Sequence, residues 1–178
     1  MIEVEAKIKI SNPNKFRRKA LSLSKYQEKI KKVDNYYTLE PLTRYPKKSL
    51  RIRKMNSHYI VNFKQRISYK SGIFAKKETE FKVSDINGFL ALIKDFGFRK
   101  WLTKEKITFL YKIKDNFHIE LNYIKNLGWF AEVEYLCFEK DIRKARLEVS
   151  NVLKALGIKP ENAVKDGYTK LLWDKRKR

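Results

Sequence analysis

Charged and apolar side chains alternate in this chain with a period of two, in one segment after another. Glu3, Glu5 and Lys7 interleave with Ile2, Val4, Ala6 and Ile8. A β-strand sends successive side chains to opposite faces, so these three charged groups share one face. Arg51 and Arg53 flank Ile52, Asn62 and Lys64 bracket Phe63, with Arg66 in the same phase, and Glu78, Glu80 and Lys82 follow the same rule around Phe81. Lys104 with Lys106, Glu120 with Asn122, and Glu132 with Glu134 repeat it. One such strand is ordinary, because a half-buried strand turns its charges to water. Repetition along the whole chain asks for a fold that gives these faces a common use.

Punctuation between the segments sets the element order. Asn12 and Pro13 supply a cap and a first helical residue, and Phe16, Ala20, Leu21 and Leu23 give a stripe predicting a helix to about Lys32. A strand over 33–39, a loop marked by Pro41 and Pro46, and strands over 49–55, 58–67 and 74–83 follow, with turns at Asn56-Ser57 and Ser71-Gly72. Ser84 and Asp85 open a second helix that stops at Gly97. Strands over 99–112, 116–123 and 129–138 come next, then a helix over 140–156 ending at Gly157, a turn after Pro160, and an amphipathic segment from Tyr168 to Trp173. No Ser/Gly/Pro linker divides the 178 residues, so residues 1–178 read as one domain of α+β class.

About eight mostly antiparallel strands can close into a barrel that leaves no free edge. The apolar faces would then point outward under flanking helices and the charged faces into a polar lumen. An open sheet with its charged face in water fits the same spacing, and spacing alone does not choose between them.

The charge balance sharpens the question. With 42 Lys plus Arg against 20 Asp plus Glu the chain carries +22, which points to a polyanionic partner. Many of the acids lie within the alternating strands among the bases, where a plain phosphate-binding surface has no use for them. Two like charges ~4 Å apart repel by about 4 kcal/mol at an effective dielectric near 20, so an enclosed basic lumen needs acids, water or anions to offset it. Acids for a divalent cation and bases for phosphate oxygens, in one cavity, are the requirements of phosphoryl transfer. Cys137 is the only cysteine and excludes an intrachain disulfide. No stretch approaches the ~18 apolar residues of a membrane span, and the acidic start is unlike a signal peptide, so a cytoplasmic protein with no membrane partner is expected.

Several of these segments resemble a known family. Glu3-Val4-Glu5-Ala6-Lys7 matches an ExExK signature, and Asp34-Asn35-Tyr36-Tyr37, Leu50-Arg51-Ile52-Arg53, Phe63-Lys64, Glu78-Thr79-Glu80, Lys104-Glu105-Lys106, Leu127-Gly128-Trp129-Phe130 and Glu132-Val133-Glu134 follow in order. The set resembles the CYTH superfamily, also called triphosphate tunnel metalloenzymes, over nearly the whole chain. The resemblance implies an eight-stranded antiparallel tunnel that binds a small-molecule triphosphate with Mg²⁺ or Mn²⁺. It assigns metal binding to Glu3, Glu5 and Glu134 with Glu132 nearby, and to Asn122 where many relatives have Asp, with Glu120 as a compensating acid. Lys7, Arg51, Arg53, Lys64 and Lys106 would grip phosphate, as would Lys165 near the tunnel mouth. Glu5, Glu80 and Lys7 are the catalytic candidates, Glu80 orienting bases or a water, and Tyr36 would lie near the entrance. Lys104-Glu105-Lys106 departs from the usual Lys-x-Arg, replacing a bidentate fork by a point charge.

The implied activity is metal-dependent triphosphate hydrolysis, with class IV adenylyl cyclisation of ATP to cyclic AMP as the alternative enzyme. A noncatalytic binder of polyphosphate or RNA is the alternative from charge alone, nucleic acid otherwise being contacted only nonspecifically. Dimers are common among such relatives, and a homodimer is possible by analogy. Glu78 reads as surface, Asn62 and Arg66 as strand ends, His58 and His118 as structural or exposed, Cys137 as core, the three Trp as packing, and Lys175-Arg176-Lys177-Arg178 as a frayed end.

Overall fold

The structure, a computed structural model, describes residues 1–55 and 58–176. The turn expected at Asn56 and Ser57 and the last two residues, Lys177 and Arg178, lie outside that range. Strand β1 (Ile2–Lys9) and helix α1 (Pro13–Leu23) lead into β2 (Lys25–Thr38), β3 (Leu50–Met55), β4 (His58–Lys70) and β5 (Ile73–Val83). Helix α2 (Ile86–Asp95) precedes β6 (Arg99–Lys114), β7 (Phe117–Ile124) and β8 (Gly128–Cys137), and α3 (Ile142–Ala155) and α4 (Tyr168–Arg176) end the chain.

The strands form one closed barrel in the order β1-β5-β4-β3-β2-β6-β7-β8, and every neighbouring pair is antiparallel. Closure is made by β1, which pairs with β5 on one side and β8 on the other, setting Glu5 opposite Phe74 and Glu134 respectively. The closed alternative is therefore the one realised, and no described strand is left as an edge.

The hydrophobic core lies outside this barrel. Val4, Ala6 and Ile8 of β1, Ile119 and Leu121 of β7, and Ala131 and Val133 of β8 form one buried cluster with Phe16 and Ala20 of α1 and Ala145, Val149 and Leu153 of α3. The α3 residues recur every four positions and make one helical stripe, in which burial of Val149 and Leu153 contributes roughly 1.5–3 kcal/mol each. Small side chains at Ala6, Ala131 and Ala145 let helix and sheet approach closely. Helix α2 covers β3 and β4 through Ile93 against Ile52 and Val61, while Leu172 of α4 packs on Trp101 and Leu102 of β6. Among the described residues no helix is long and apolar enough to cross a membrane.

Local chemistry places the expected caps. The Asn12 side chain accepts from the Lys15 amide at 2.9 Å with Pro13 behind it, and Asp85 accepts from the Gly88 amide at 3.0 Å. The β7–β8 hairpin turns at Asn126 and Gly128, whose φ values of 69° and 91° lie in the left-handed region. One boundary differs from expectation: α1 ends at Leu23, not near Lys32, and 25–32 belong to β2. Continuing the Phe16/Ala20 stripe would require apolar residues near 27 and 28, where Gln27 and Glu28 stand, and the strand instead gains a full backbone ladder against β6 from Lys25↔Lys112 to Thr38↔Arg99. The expected frayed end is also ordered as far as Arg176: Lys175 donates to the Asn126 carbonyl at 2.6 Å and Arg176 to the Trp101 carbonyl at 3.1 Å.

Candidate active site

Because the apolar alternate of each strand faces the helices, the polar alternate faces inward. It lines a cavity of about 700 Å³ running through the barrel. Glu3, Glu5 and Lys7 from β1, Arg51 and Arg53 from β3, Lys64 from β4, Lys106 from β6 and Glu132 and Glu134 from β8 all line it.

The acids gather on one wall. Glu3, Glu5 and Glu134 each offer a carboxylate oxygen within 4.8 Å of the others, in a setting where Glu3 is only 2% exposed. Lys64 donates to Glu3, Lys76 donates to Glu5, and His118 Nε2 lies 3.6 Å from Glu134. The second oxygen of Glu3, Oε1, is buried with no hydrogen-bond partner. Burial, then the Glu134 carboxylate, push the Glu3 pKa well above its ordinary value. Burial acts in the same sense on Glu5, but Lys76 and Lys7 outweigh it and its pKa falls well below the usual range. An orphaned buried carboxylate oxygen beside two further carboxylates is a hard, oxygen-rich donor set, which fits a divalent cation.

Glu120 and Glu132 form a second acidic centre, directly opposite each other across β7 and β8. It is already saturated. Lys32 and Lys106 each donate to Glu120 at 2.8 Å, while Lys106 and Lys7 stand 3.5 and 3.4 Å from Glu132. The Asn122 amide donates to Glu120 at 3.0 Å and Glu132 at 2.8 Å, and its carbonyl accepts from the Thr108 hydroxyl at 2.7 Å. Glu120 is held well below the usual carboxylate range, burial being outweighed by Lys106 and Lys32. The five residues assigned to metal by the resemblance therefore divide: Glu3, Glu5 and Glu134 converge, whereas Glu132 and Asn122 are committed to a lysine-bridged network.

The opposite wall is basic. Arg53 binds Asp34 through two hydrogen bonds of 2.6 and 2.9 Å, and Lys104 reaches the same carboxylate at 2.9 Å. Arg51 stands 3.5 Å from Glu78 and 3.7 Å from Glu80, and its Nε is buried without a partner. Lys7 lies 4.3 Å above the ring of Tyr168, at the start of α4, and Lys104 lies 5.5 Å from the rings of both Tyr168 and Tyr36. Tyr36 lines the cavity.

Four positions differ from the sequence reading. Glu78, expected at the surface, is the deeper of its pair, with a side chain 20% exposed against 46% for Glu80. Asn62 is no strand end: it sits buried within β4 and donates to both Glu78 and Glu80. Lys165 is exposed and does not line the cavity. His118, expected to be structural or exposed, faces the lumen beside Glu134. Lys76, Lys32 and Asp34 were not singled out for the site, yet each pairs with a lumen charge, and Lys76 lies two residues before Glu78 on the face that the period-two rule selects.

A closed antiparallel barrel with acids and bases facing each other across its lumen defines the triphosphate-tunnel class of fold. A family model for the CYTH domain matches residues 1–168, and the chain belongs to that family. Among solved structures it is similar to a Pyrococcus horikoshii protein, 27% identical over 95% of this chain and 98% of that one, with a TM-score of 0.79. A second protein from the same organism is 24% identical over 98% and 99% of the two chains, also at 0.79. A Hippeastrum protein named as a candidate adenylyl cyclase and described as revealing a dominant triphosphatase activity shares the fold at 16% identity, over 99% of this chain and 96% of that one, with a TM-score of 0.63. No curated protein matches the sequence.

Proposed function

We propose that this protein hydrolyses triphosphates in its lumen in a divalent-metal-dependent reaction. The observation that carries this reading is the meeting, inside one cavity, of a carboxylate trio that keeps a buried, unpartnered oxygen on Glu3 with Arg and Lys side chains, among them Arg51, whose Nε is buried without a partner. Mg²⁺ or Mn²⁺ held by Glu3, Glu5 and Glu134 would supply charge for phosphate oxygens and activate a water. Arg51, with its free Nε, presents a planar fork toward the lumen, and Lys64 and Lys76 stand ready to exchange carboxylate partners for phosphate oxygens. Lys7 and Lys106, bridged through Glu132, would hold the substrate's other phosphates. Glu80, at the more open end of the Arg51 contact, orients that guanidinium. Water adds to the terminal phosphorus, the bond to the bridging oxygen breaks, and diphosphate or a nucleoside diphosphate leaves with phosphate. The known kinship of fold to the Hippeastrum protein supports the same class of reaction.

Product analysis with ATP and with tripolyphosphate, each with Mg²⁺ or Mn²⁺, tests this. Orthophosphate with ADP or pyrophosphate is the expected product, and Glu5→Gln should abolish metal-stimulated release while leaving the circular dichroism spectrum intact. Cyclic AMP with pyrophosphate would replace hydrolysis by cyclisation, and tight binding without turnover would make the tunnel a polyphosphate receptor.

A further inference from the structure

The net charge of +22 is not accounted for by the lumen, whose cavity is lined by eleven Lys or Arg against nine Asp or Glu. The excess lies on the outer surface, and one stretch of outer wall sets it beside the exposed ring of Tyr123 and the half-buried rings of Trp129 and Phe109. A single cross-strand row there reads Lys31 on β2, Ile107 on β6, Tyr123 on β7 and Trp129 on β8. In the next row, Lys29 faces Phe109. Tyr123 is 41% exposed, and its ring lies 5.2 Å from that of Trp129, which is 6.1 Å from that of Phe109. Cations border the rings: Lys29 is 5.7 Å from the Phe109 ring and Arg17, reaching from α1, is 5.8 Å from it. The carboxylate beside this row, Glu105, is neutralised by Lys125 at 2.7 Å.

We propose that this outer face binds single-stranded nucleic acid, with Lys29, Lys31 and Arg17 on phosphates and Tyr123, backed by Trp129, stacking on an unpaired base. The chemistry selects this partner. A polyphosphate chain has no use for the rings, and a duplex hides the faces of its bases. A sheet surface with lysines at one end of its rows and rings at the other offers both things a single strand presents. A membrane is served less well, because these rings belong to strands β6, β7 and β8 and not to a projecting loop or helix.

Fluorescence anisotropy with the full chain and a labelled 5′-hydroxyl oligouridylate of about 15 nucleotides tests the proposal. Binding should weaken steeply with salt, and Tyr123→Ala should weaken it about tenfold. Replacing Lys29 and Lys31 together by Ala should reduce the slope of log K against log salt by about 1.4. Phosphate release from tripolyphosphate should stay unchanged in these variants, since none of the three residues lines the lumen. The proposal is overturned by any of four results: no binding of the oligonucleotide, displacement by tripolyphosphate, equal affinity for a duplex of the same length, or an unaltered Tyr123→Ala. Retention on phosphatidylserine vesicles in place of the oligonucleotide overturns it in favour of a membrane. The binding readout does not involve turnover, so it can fail while the hydrolytic reading stands, and the reverse.

Discussion

Asp34 is fully buried between two cations, bound twice by Arg53 at 2.6 and 2.9 Å and once by Lys104 at 2.9 Å. At ~3 Å and an effective dielectric near 20, each attraction amounts to about 5–6 kcal/mol before desolvation is subtracted. Asp34→Ala deletes the shared carboxylate and strands both cations, and removing one partner of a buried ion pair costs about 3–5 kcal/mol. That is a large part of the roughly 5–15 kcal/mol holding a typical domain together. Urea denaturation with and without tripolyphosphate reads the effect. The anion should stabilise the variant more than the wild type, because Arg53 and Lys104 face the lumen and would then need a new counter-charge. A loss under about 1 kcal/mol, the range of an exposed pair, or equal stabilisation of both proteins by tripolyphosphate, would refute the view that internal acids hold the lumen cations in place.

The same residue sets an acid-side response. Burial raises the Asp34 pKa, but Lys104 and Arg53 outweigh it and hold it well below the ordinary value. The unfolded chain, with Asp ionising near ~3.9, binds more protons than the folded one just below that pH, so this stabilisation is full above the unfolded pKa and lost as pH falls through the folded one. Asp34→Asn should therefore flatten the loss of stability below about pH 4, read by denaturation at stepped pH. Lys76→Met should lower kcat/KM for triphosphate about tenfold or more and move the acidic limb of its pH profile upward, because Glu5 loses the largest charge that keeps it ionised; an unmoved limb would remove Lys76 from the site. Asn12→Ala should cost about 1 kcal/mol in thermal unfolding by exposing the first turn of α1, with phosphate release unchanged.

The barrel strands were readable because their two faces have opposite needs, and the period of two survives wherever both needs are strong. It fails at 25–32, where Lys29 and Lys31 face water outside while Glu28 is exposed inside near the rim, so polar residues occupy both phases. Lys76 was obscured by Lys77 beside it, since two adjacent lysines show no alternation. Depth along the barrel axis leaves no mark on periodicity, which is why the pattern does not show that Glu78 is the less exposed of its pair with Glu80. The separation of Glu132 and Asn122 from the carboxylate trio depends on which lysines arrive from β2 and β6, a matter of three-dimensional pairing. Lys165 follows α3 in a segment with no alternating pattern to fix its direction.

Each strand wall here is one residue thick, with chemistry on one side and packing on the other. A single inserted or deleted residue inside β1 would swing Glu3 and Glu5 toward α3 and turn Val4 and Ala6 into the pore, ruining both sides at once. Substitutions can be absorbed one position at a time, but the length of β1, which pairs without a register shift on both sides, is locked. Among relatives of this protein, gaps should accordingly fall in connections such as 39–49, and mutational libraries that vary the length of β1 should yield no folded members.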